Sequence, residues 1–175
     1  MVSVFDIFKI GIGPSSSHTV GPMKAGKEFV DLLAEKNLLS SVSRVVVDVY
    51  GSLSLTGKGH ATDIAIIMGL AGNFPDTVDI DAIAPFIKQV ENTGRLMLAN
   101  GAQEVDFPAV GGMNFHKINL PLHENGMTIS AYNGEQLLLK KTYYSVGGGF
   151  IVDEEHFGQP EENKVEVPYP YQYAA

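Results

Sequence analysis

The chain has 175 residues, of which 45% are hydrophobic and 18% charged, a balance typical of a folded globular domain. Its formal net charge is −8 and its twelve lysines and arginines are scattered, which argues against nucleic acid or an anionic membrane surface as a partner. It contains no cysteine, so the chain itself offers neither a disulfide nor a thiolate ligand.

Targeting signals are not evident in the sequence. No apolar run approaches the roughly 20 residues of a membrane helix. The first ten residues hold Asp6 and Lys9 and lack the layout of a signal peptide. A cytoplasmic setting is therefore expected.

The first half of the chain alternates loops with helix and strand patterns. Residues 11–22 are rich in glycine, proline, serine and histidine, which predicts a loop that brings polar groups to a helix start near Pro22. Apolar residues at helical spacing extend that helix to about residue 36. Residues 42–49 are dense in β-branched side chains and predict a strand. Two more helices are predicted over residues 64–70 and 79–92, each followed by glycine.

The second half is typical of an antiparallel sheet. Strands are predicted over residues 117–120, 127–132, 136–144 and 150–152, with a hairpin turn at Asn133-Gly134 and a break at the glycines 147–149. The expected fold class is α+β, with helices packed on a mixed, largely antiparallel sheet of undetermined strand order. We expect residues 1–155 to form one domain and residues 156–175, which are acidic and then rich in proline and tyrosine, to be a flexible tail or linker.

The sequence does not match three common motifs for nucleotide or metal binding. The first glycine-rich loop has serine where the dinucleotide fingerprint requires a third glycine. The stretch from Gly51 has five residues between its glycines instead of the four of a phosphate-binding P-loop, and His123-Glu124 lacks the second histidine of a zinc protease helix. Five histidines without cysteine or His-x-His spacing predict no metal site in the chain.

Two hydroxyl-rich loops remain as the candidate site. One ends at His18 and the other at His60, and each histidine has a threonine within two residues. Imidazole titrates near neutral pH and suits proton abstraction, and Lys58 offers a positive charge suited to a carboxylate. Taken alone, each histidine is equally consistent with an ordinary cap residue, and each of the three serines is better explained as a cap or turn residue. The functional interpretation therefore depends on the coincidence of two such loops. The other histidines are interpreted as surface residues: His116, His123 and His156.

At these loops the sequence resembles a known family, the bacterial iron–sulfur L-serine dehydratases, also called L-serine deaminases or ammonia-lyases. The matching segments are SVFD at 3–6, IGIGPSSSHTVGP at 10–22, YGSL at 50–53, TGKGHATD at 56–63, NGM at 125–127 and YYSVGGGF at 143–150. The resemblance implies the N-terminal β domain or β chain of that family. It also implies a fold similar to the regulatory ligand-binding domain of some phosphoglycerate dehydrogenases.

The resemblance implies a cofactor and partners as well. In that family a second, α domain carries the cysteines that hold a [4Fe–4S] cluster, and no pyridoxal phosphate is used. We therefore expect this chain to be inactive alone and to require an α half, either as an attached domain or as a separate subunit. L-serine is the expected substrate, with L-threonine left open, and a homodimer is the expected assembly.

The resemblance further implies roles for individual residues. His60 is expected to remove the Cα proton of L-serine or to assist the group that does, with Thr62 aiding proton transfer, while Lys58 receives the substrate carboxylate. The cavity for substrate and cluster would be lined by four residues of the first loop: Ser15, Ser16, Ser17 and His18. Two alternatives stay open, a regulatory module that senses serine without catalysis and an interaction scaffold without a site.

Overall fold

Three helices and one seven-stranded sheet make up the part of the chain that the computed structural model describes, residues 16–55 and 62–157. The helices are α1 (Gly21–Glu35), α2 (Thr62–Leu70) and α3 (Ile80–Thr93). The strands are β1 (Arg44–Tyr50), β2 (Arg95–Leu98), β3 (Gln103–Asp106), β4 (Met113–His116), β5 (Gly126–Asn133), β6 (Gln136–Gly147) and β7 (Phe150–Asp153). The α+β fold class expected from the sequence is confirmed.

The sheet is mixed but mostly antiparallel. Its order is β2-β3-β1-β5-β6-β7, and β4 lies beside β1 as well. β1 pairs in parallel with β3 at its start and with β4 over its second half, and the remaining pairs are antiparallel. Val49 near the end of β1 lies opposite Met127 near the start of β5. The segments that follow β1 and precede β5 therefore meet at one end of the sheet.

One face of the sheet carries the main core. Val45, Val47 and Val49 of β1 are fully buried, and the residues between them are half-buried. Successive side chains of a strand point to opposite faces, so these valines share the face that the helices cover. Ile66 and Leu70 of α2 pack in the same cluster. No helix within the described residues is long and apolar enough to cross a bilayer.

Helices α1 and α2 cross at two glycines. A Cβ at Gly69 would collide with the carbonyl oxygen of Met23 and lie 3.0 Å from its carbonyl carbon. A Cβ at Gly26 would lie 2.7 Å from the carbonyl oxygen of Ile66. Glycine is needed at both positions because the two backbones touch there. Every residue of α2 is buried, so its position relative to α1 is fixed along its whole length.

Most of the predicted elements are confirmed. Helix α3 begins after Asp79, whose carboxylate accepts the N–H of Asp81, and ends at Gly94 in the left-handed conformation. β5 and β6 are joined at Asn133-Gly134, as the sequence predicts, although β6 continues to Gly147. Residues 158–175 of the predicted tail lie outside the described residues.

The predicted strand over residues 117–120 is wrong, and three short strands were not predicted. The chain is extended just before that segment, in β4, and Ile118 is 67% exposed, so its apolar side chain does not mark a buried strand. The backbone carbonyl of Ile118 accepts the N–H of Gly51, which holds the segment as a bend against the end of β1. β2, β3 and β4 have only four residues each, too few for a clear alternating pattern.

The glycine crossing can be tested with Gly69→Ala. Helix propensity alone would make this change stabilising by about 1 kcal/mol. We expect the free energy of unfolding to fall instead, because the added methyl meets the backbone of Met23 and overpacking costs roughly 1–3 kcal/mol. Urea unfolding measures the difference, and Ala84→Gly at an exposed position of α3 reports propensity by itself. A rise in stability for Gly69→Ala contradicts the close crossing.

Candidate functional site

The loop that contains the first histidine ends in a π-helical turn. Ser16–Val20 form this π-turn, which runs directly into α1 at Gly21, with Pro22 in the first helical turn as the sequence predicts. Val20 at the junction has helical dihedral angles, with φ −62° and ψ −47°. A π-turn shifts the direction of side chains relative to an α-helix and is frequent at functional sites.

The side chain of His18 joins the π-turn to the 3₁₀ turn Gly51–Ser54 that follows β1. Its Nε2 lies 3.0 Å from Oγ and 3.2 Å from the carbonyl oxygen of Ser52, and its Nδ1 lies 3.1 Å from Oγ of Ser17. Because a carbonyl only accepts, this network assigns the N–H to Nε2 and leaves Nδ1 to accept from the Ser17 hydroxyl. Both ring nitrogens are therefore engaged with the protein.

Thr62 fastens the start of α2 to the same π-turn. Its hydroxyl donates a 2.8 Å hydrogen bond to the carbonyl oxygen of His18, and the residue is 1% exposed. The proton of this hydroxyl is committed to the carbonyl, whereas the oxygen keeps a lone pair that can accept another bond. The π-turn, the 3₁₀ turn and the first residue of α2 thus form one connected group, which we call the loop cluster.

The structure brings together only some of the predicted site residues. Ser17, His18 and Thr62 meet in the loop cluster, and Ser17 is 8% exposed. The others lie outside the described residues, or have their side chain outside them: Ser15, Lys58 and His60, and the side chain of Ser16. Their roles stay predictions.

Two buried polar residues beside the loop cluster were not assigned from the sequence. The amide Nδ2 of Asn125 donates to the carbonyl oxygen of Ser145 at 3.1 Å, and the N–H of Ser145 donates to the carbonyl oxygen of Asn125 at 2.9 Å. Ser145 lies against Gly21, where a Cβ would come within 3.1 Å of the serine Cβ. Asn125 is close to Ser52, whose N–H donates to the carbonyl oxygen of Glu124.

Both residues present a polar atom without a partner among the described residues. These atoms are Oδ1 of Asn125 and Oγ of Ser145. The residues Asn125 and Ser145 are 7% and 0% exposed. Since the Ser145 carbonyl can only accept, it fixes the orientation of the Asn125 amide and leaves Oδ1 as the unpaired atom. A buried polar atom without a partner costs about 1–3 kcal/mol, so both atoms suit a ligand or an ordered water. Both residues fall within the motif segments at 125–127 and 143–150, and these motifs were the only feature of the sequence that could have pointed to them.

The remaining described histidines differ in their surroundings. His156 is exposed, and His116 stacks on Tyr50 and pairs with Asp48 on the open face of the sheet. His123 is not a plain surface residue, because its Nδ1 accepts the N–H of Asn125 at 3.0 Å and its ring packs against Tyr144. Burial, together with the negative charge of Glu154, raises the pKa of the Tyr144 hydroxyl, so this phenol stays protonated at neutral pH.

Comparison with known proteins decides the family. A family model described as "Serine dehydratase beta chain" matches residues 3–156. The chain belongs to this family. L-serine dehydratase 1 of Escherichia coli is 72% identical to this β chain over 174 residues, which cover 99% of the chain and 38% of that relative. The L-serine dehydratases of Haemophilus influenzae and Helicobacter pylori are 58% and 38% identical, again over 99% of the chain and 38% of their own length.

These matches confirm the resemblance that the sequence motifs carried. They also show that this β chain spans about 38% of the length of the relatives it matches. The relatives named L-serine dehydratase therefore extend well beyond the residues that align with this chain.

The bond from Thr62 to His18 can be tested with Thr62→Val. The valine keeps the shape of the side chain but leaves the His18 carbonyl without this donor, so we expect the free energy of unfolding to fall by about 1–3 kcal/mol. Thr62→Ser keeps the hydroxyl and loses one methyl group, at a cost of about 1 kcal/mol. Urea unfolding and amide hydrogen exchange in the π-turn measure both variants. Equal protection of the π-turn in Thr62→Val and the unmodified chain contradicts the role of this bond.

Proposed function

We propose that this chain is the β portion of an L-serine dehydratase and forms one wall of its active site. The observation that carries the proposal is the loop cluster, in which His18, Ser52 and Thr62 hold three chain segments together at one end of the sheet. Relatives named L-serine dehydratase match nearly the whole chain at up to 72% identity, which supports L-serine as the substrate. Pyruvate and ammonia are the products that this activity implies.

An iron–sulfur cluster does not fit the residues of this chain. Such clusters are held by cysteine thiolates, and the chain has no cysteine. The unpaired atoms at and beside the loop cluster include the amide oxygen of Asn125 and the hydroxyls of Ser54 and Ser145, which suit a small polar molecule rather than iron. We therefore assign the [4Fe–4S] cluster of the proposed enzyme to an α domain or α subunit and assign no pyridoxal phosphate to the reaction.

The reaction needs a base and a set of groups that hold the amino acid. L-serine loses a proton from Cα and hydroxide from Cβ to give 2-aminoacrylate, which tautomerises to an imine. Water then hydrolyses the imine to pyruvate and ammonia. A base positioned at the Cα proton contributes about 10²–10⁴-fold to the rate, and fixed orientation of the substrate contributes further.

His60 is the histidine that we assign as the base. His18 is unsuited to this role, because both of its ring nitrogens bond to protein groups. His60 stands two residues before Thr62, whose oxygen retains a lone pair that can accept an N–H from an imidazole and so orient it. Thr62 would then assist proton transfer by positioning His60.

Other residues would hold the substrate. Lys58 is assigned to the carboxylate of L-serine, because its ammonium supplies the opposite charge. The unpaired Oδ1 of Asn125 suits the α-ammonium group, which can only donate, and the buried Oγ of Ser145 suits the same substrate or a water bound to it. Ser17 and His18 line the wall and keep the two loops together, with Ser15 and Ser16 preceding them along the chain.

The proposal also covers assembly and location. The chain would be inactive without its α half, because the cluster and the facing wall of the site belong to that half. We further propose a homodimer, a cytoplasmic location, and no nucleic acid or membrane partner, in keeping with the scattered charges and the net charge of −8.

The role of His60 can be tested in the complete, cluster-loaded enzyme that contains this β portion. We expect His60→Ala to lower kcat for pyruvate formation by about 10²–10⁴-fold, because the base is removed, with a smaller change in KM. His116→Gln is the matched control, since His116 pairs with Asp48 on the open face of the sheet, and it should retain activity. Near-normal turnover of His60→Ala would rule out this histidine as the base.

A further inference from the structure

A second polar region lies in a cleft between α1 and the β6–β7 hairpin, further along α1 than the loop cluster. The cleft has a volume of about 490 Å³ and both charge signs on its walls. Its acidic residues are Glu28, Asp31 and Glu35 on α1, Asp153 at the end of β7 and Glu155 in the turn that follows. Its basic residues are Lys36, Lys140, Lys141 and His156. Carboxylates are in excess, which favours a cationic ligand over an anionic one.

Three of these side chains can share one ion. Asp153, Glu155 and His156 each offer one ligand atom, and these atoms all lie within 4.8 Å of one another. Asp153 ends β7 and caps the short 3₁₀ turn Glu154–His156, which carries the other two, and the carboxylate of Asp153 accepts the N–H of His156 at 3.0 Å. Two carboxylates with one imidazole form a mixed oxygen and nitrogen set that suits a divalent metal ion such as Mn²⁺ or Zn²⁺.

The ammonium of Lys141 lies between two of these carboxylates, a position that favours a positive charge. Its Nζ lies 3.1 Å from Oδ2 of Asp153 and 3.2 Å from Oε1 of Glu155, and the side chains of Lys141 and Asp153 are only 13% and 10% exposed. The carboxylate of Asp153 also pairs with the imidazole of His156. Desolvation and the charge of Asp153 raise the pKa of the Glu28 carboxyl, although Lys141 acts in the opposite direction.

An independent observation is the buried hydroxyl of Tyr143. The residue is 0% exposed, and its hydroxyl has no hydrogen-bond partner among the described residues. Tyr143 lies opposite Asp153 in the β6–β7 ladder and two residues after Lys141, so the three side chains share the face toward α1. Burial and the charges of Glu28, Asp153 and Glu155 raise the pKa of this hydroxyl, which places it in the field of the carboxylates. Tyr143 does not itself line the cleft, but a fully buried hydroxyl without a partner, on the strand face that carries Lys141 and Asp153, fits a bound group that the side chains do not supply.

We propose that Asp153, Glu155 and His156 bind a divalent cation in this cleft. The cation displaces the ammonium of Lys141 from the two carboxylates, and the hydroxyl of Tyr143 bonds to a water or carboxylate oxygen of the filled site. Binding ties the end of β7 to the charged face of α1 and is separate from the reaction at the loop cluster.

The test uses the 175-residue chain, stripped of metal with a chelator and titrated with Mn²⁺ by calorimetry and electron paramagnetic resonance. We expect one Mn²⁺ per chain and a higher melting temperature with the ion bound. Asp153→Asn should weaken binding by about tenfold or more, since even outer-shell partners of a metal contribute 10–100-fold. Lys141→Met should strengthen binding, because it removes the competing ammonium.

The matched control is Glu154→Gln, an exposed residue of the same turn outside the ligand set, which should bind Mn²⁺ like the unmodified chain. Circular dichroism checks the fold of every variant, and the exposed His156→Gln replaces Asp153→Asn if the latter fails to fold. Absence of binding at millimolar Mn²⁺, unchanged binding after loss of a ligand, or weaker binding in Lys141→Met would overturn the proposal.

Discussion

The backbone contact between α1 and α2 at Gly26 and Gly69 is the constraint on which the rest of the structure depends. It places the first residue of α2 beside the π-turn that precedes α1, so that Thr62 reaches the carbonyl oxygen of His18. Because α2 is buried on all sides, it cannot shift without opening the core between the helices and β1. The hydrogen bond from Thr62 to His18 joins residues 44 positions apart in the chain, and the packing of the two helices keeps these residues close enough to form it.

This packing also explains how the work of the site is divided. Both ring nitrogens of His18 form hydrogen bonds, to Ser17 and Ser52, and the Thr62 hydroxyl donates a hydrogen bond to a backbone carbonyl. These residues therefore have a structural role in the wall of the site. Among the atoms without partners near them, Oδ1 of Asn125 and Oγ of Ser145 suit a polar ligand. In the proposed function this wall is half of a site whose iron–sulfur cluster is held by the α half, because such clusters need cysteine thiolates.

The sequence was sufficient for elements with a strong local signal. The three helices follow from apolar periodicity and from caps such as Asp79 and Gly94, and the β5–β6 hairpin follows from Asn133-Gly134. The strands β2, β3 and β4 have only four residues each and depend on pairing with other strands, so the sequence shows no clear alternating pattern for them. The apolar side chain of Ile118 suggested a strand, but it is exposed. The two histidine loops could be selected as a candidate site from the sequence, and that assignment stays a prediction, whereas the unpaired atoms of Asn125 and Ser145 exist only through tertiary contacts.

The central claim is that this chain supplies one half of an active site and is inactive without the other. The most direct measurement combines the 175-residue chain with a separately produced, cluster-loaded polypeptide that covers the remaining length of its relatives, and follows pyruvate formation from L-serine. The account predicts no turnover by either part alone and turnover when both are present. Pyruvate formation by the 175-residue chain alone, in metal-free buffer, would contradict it.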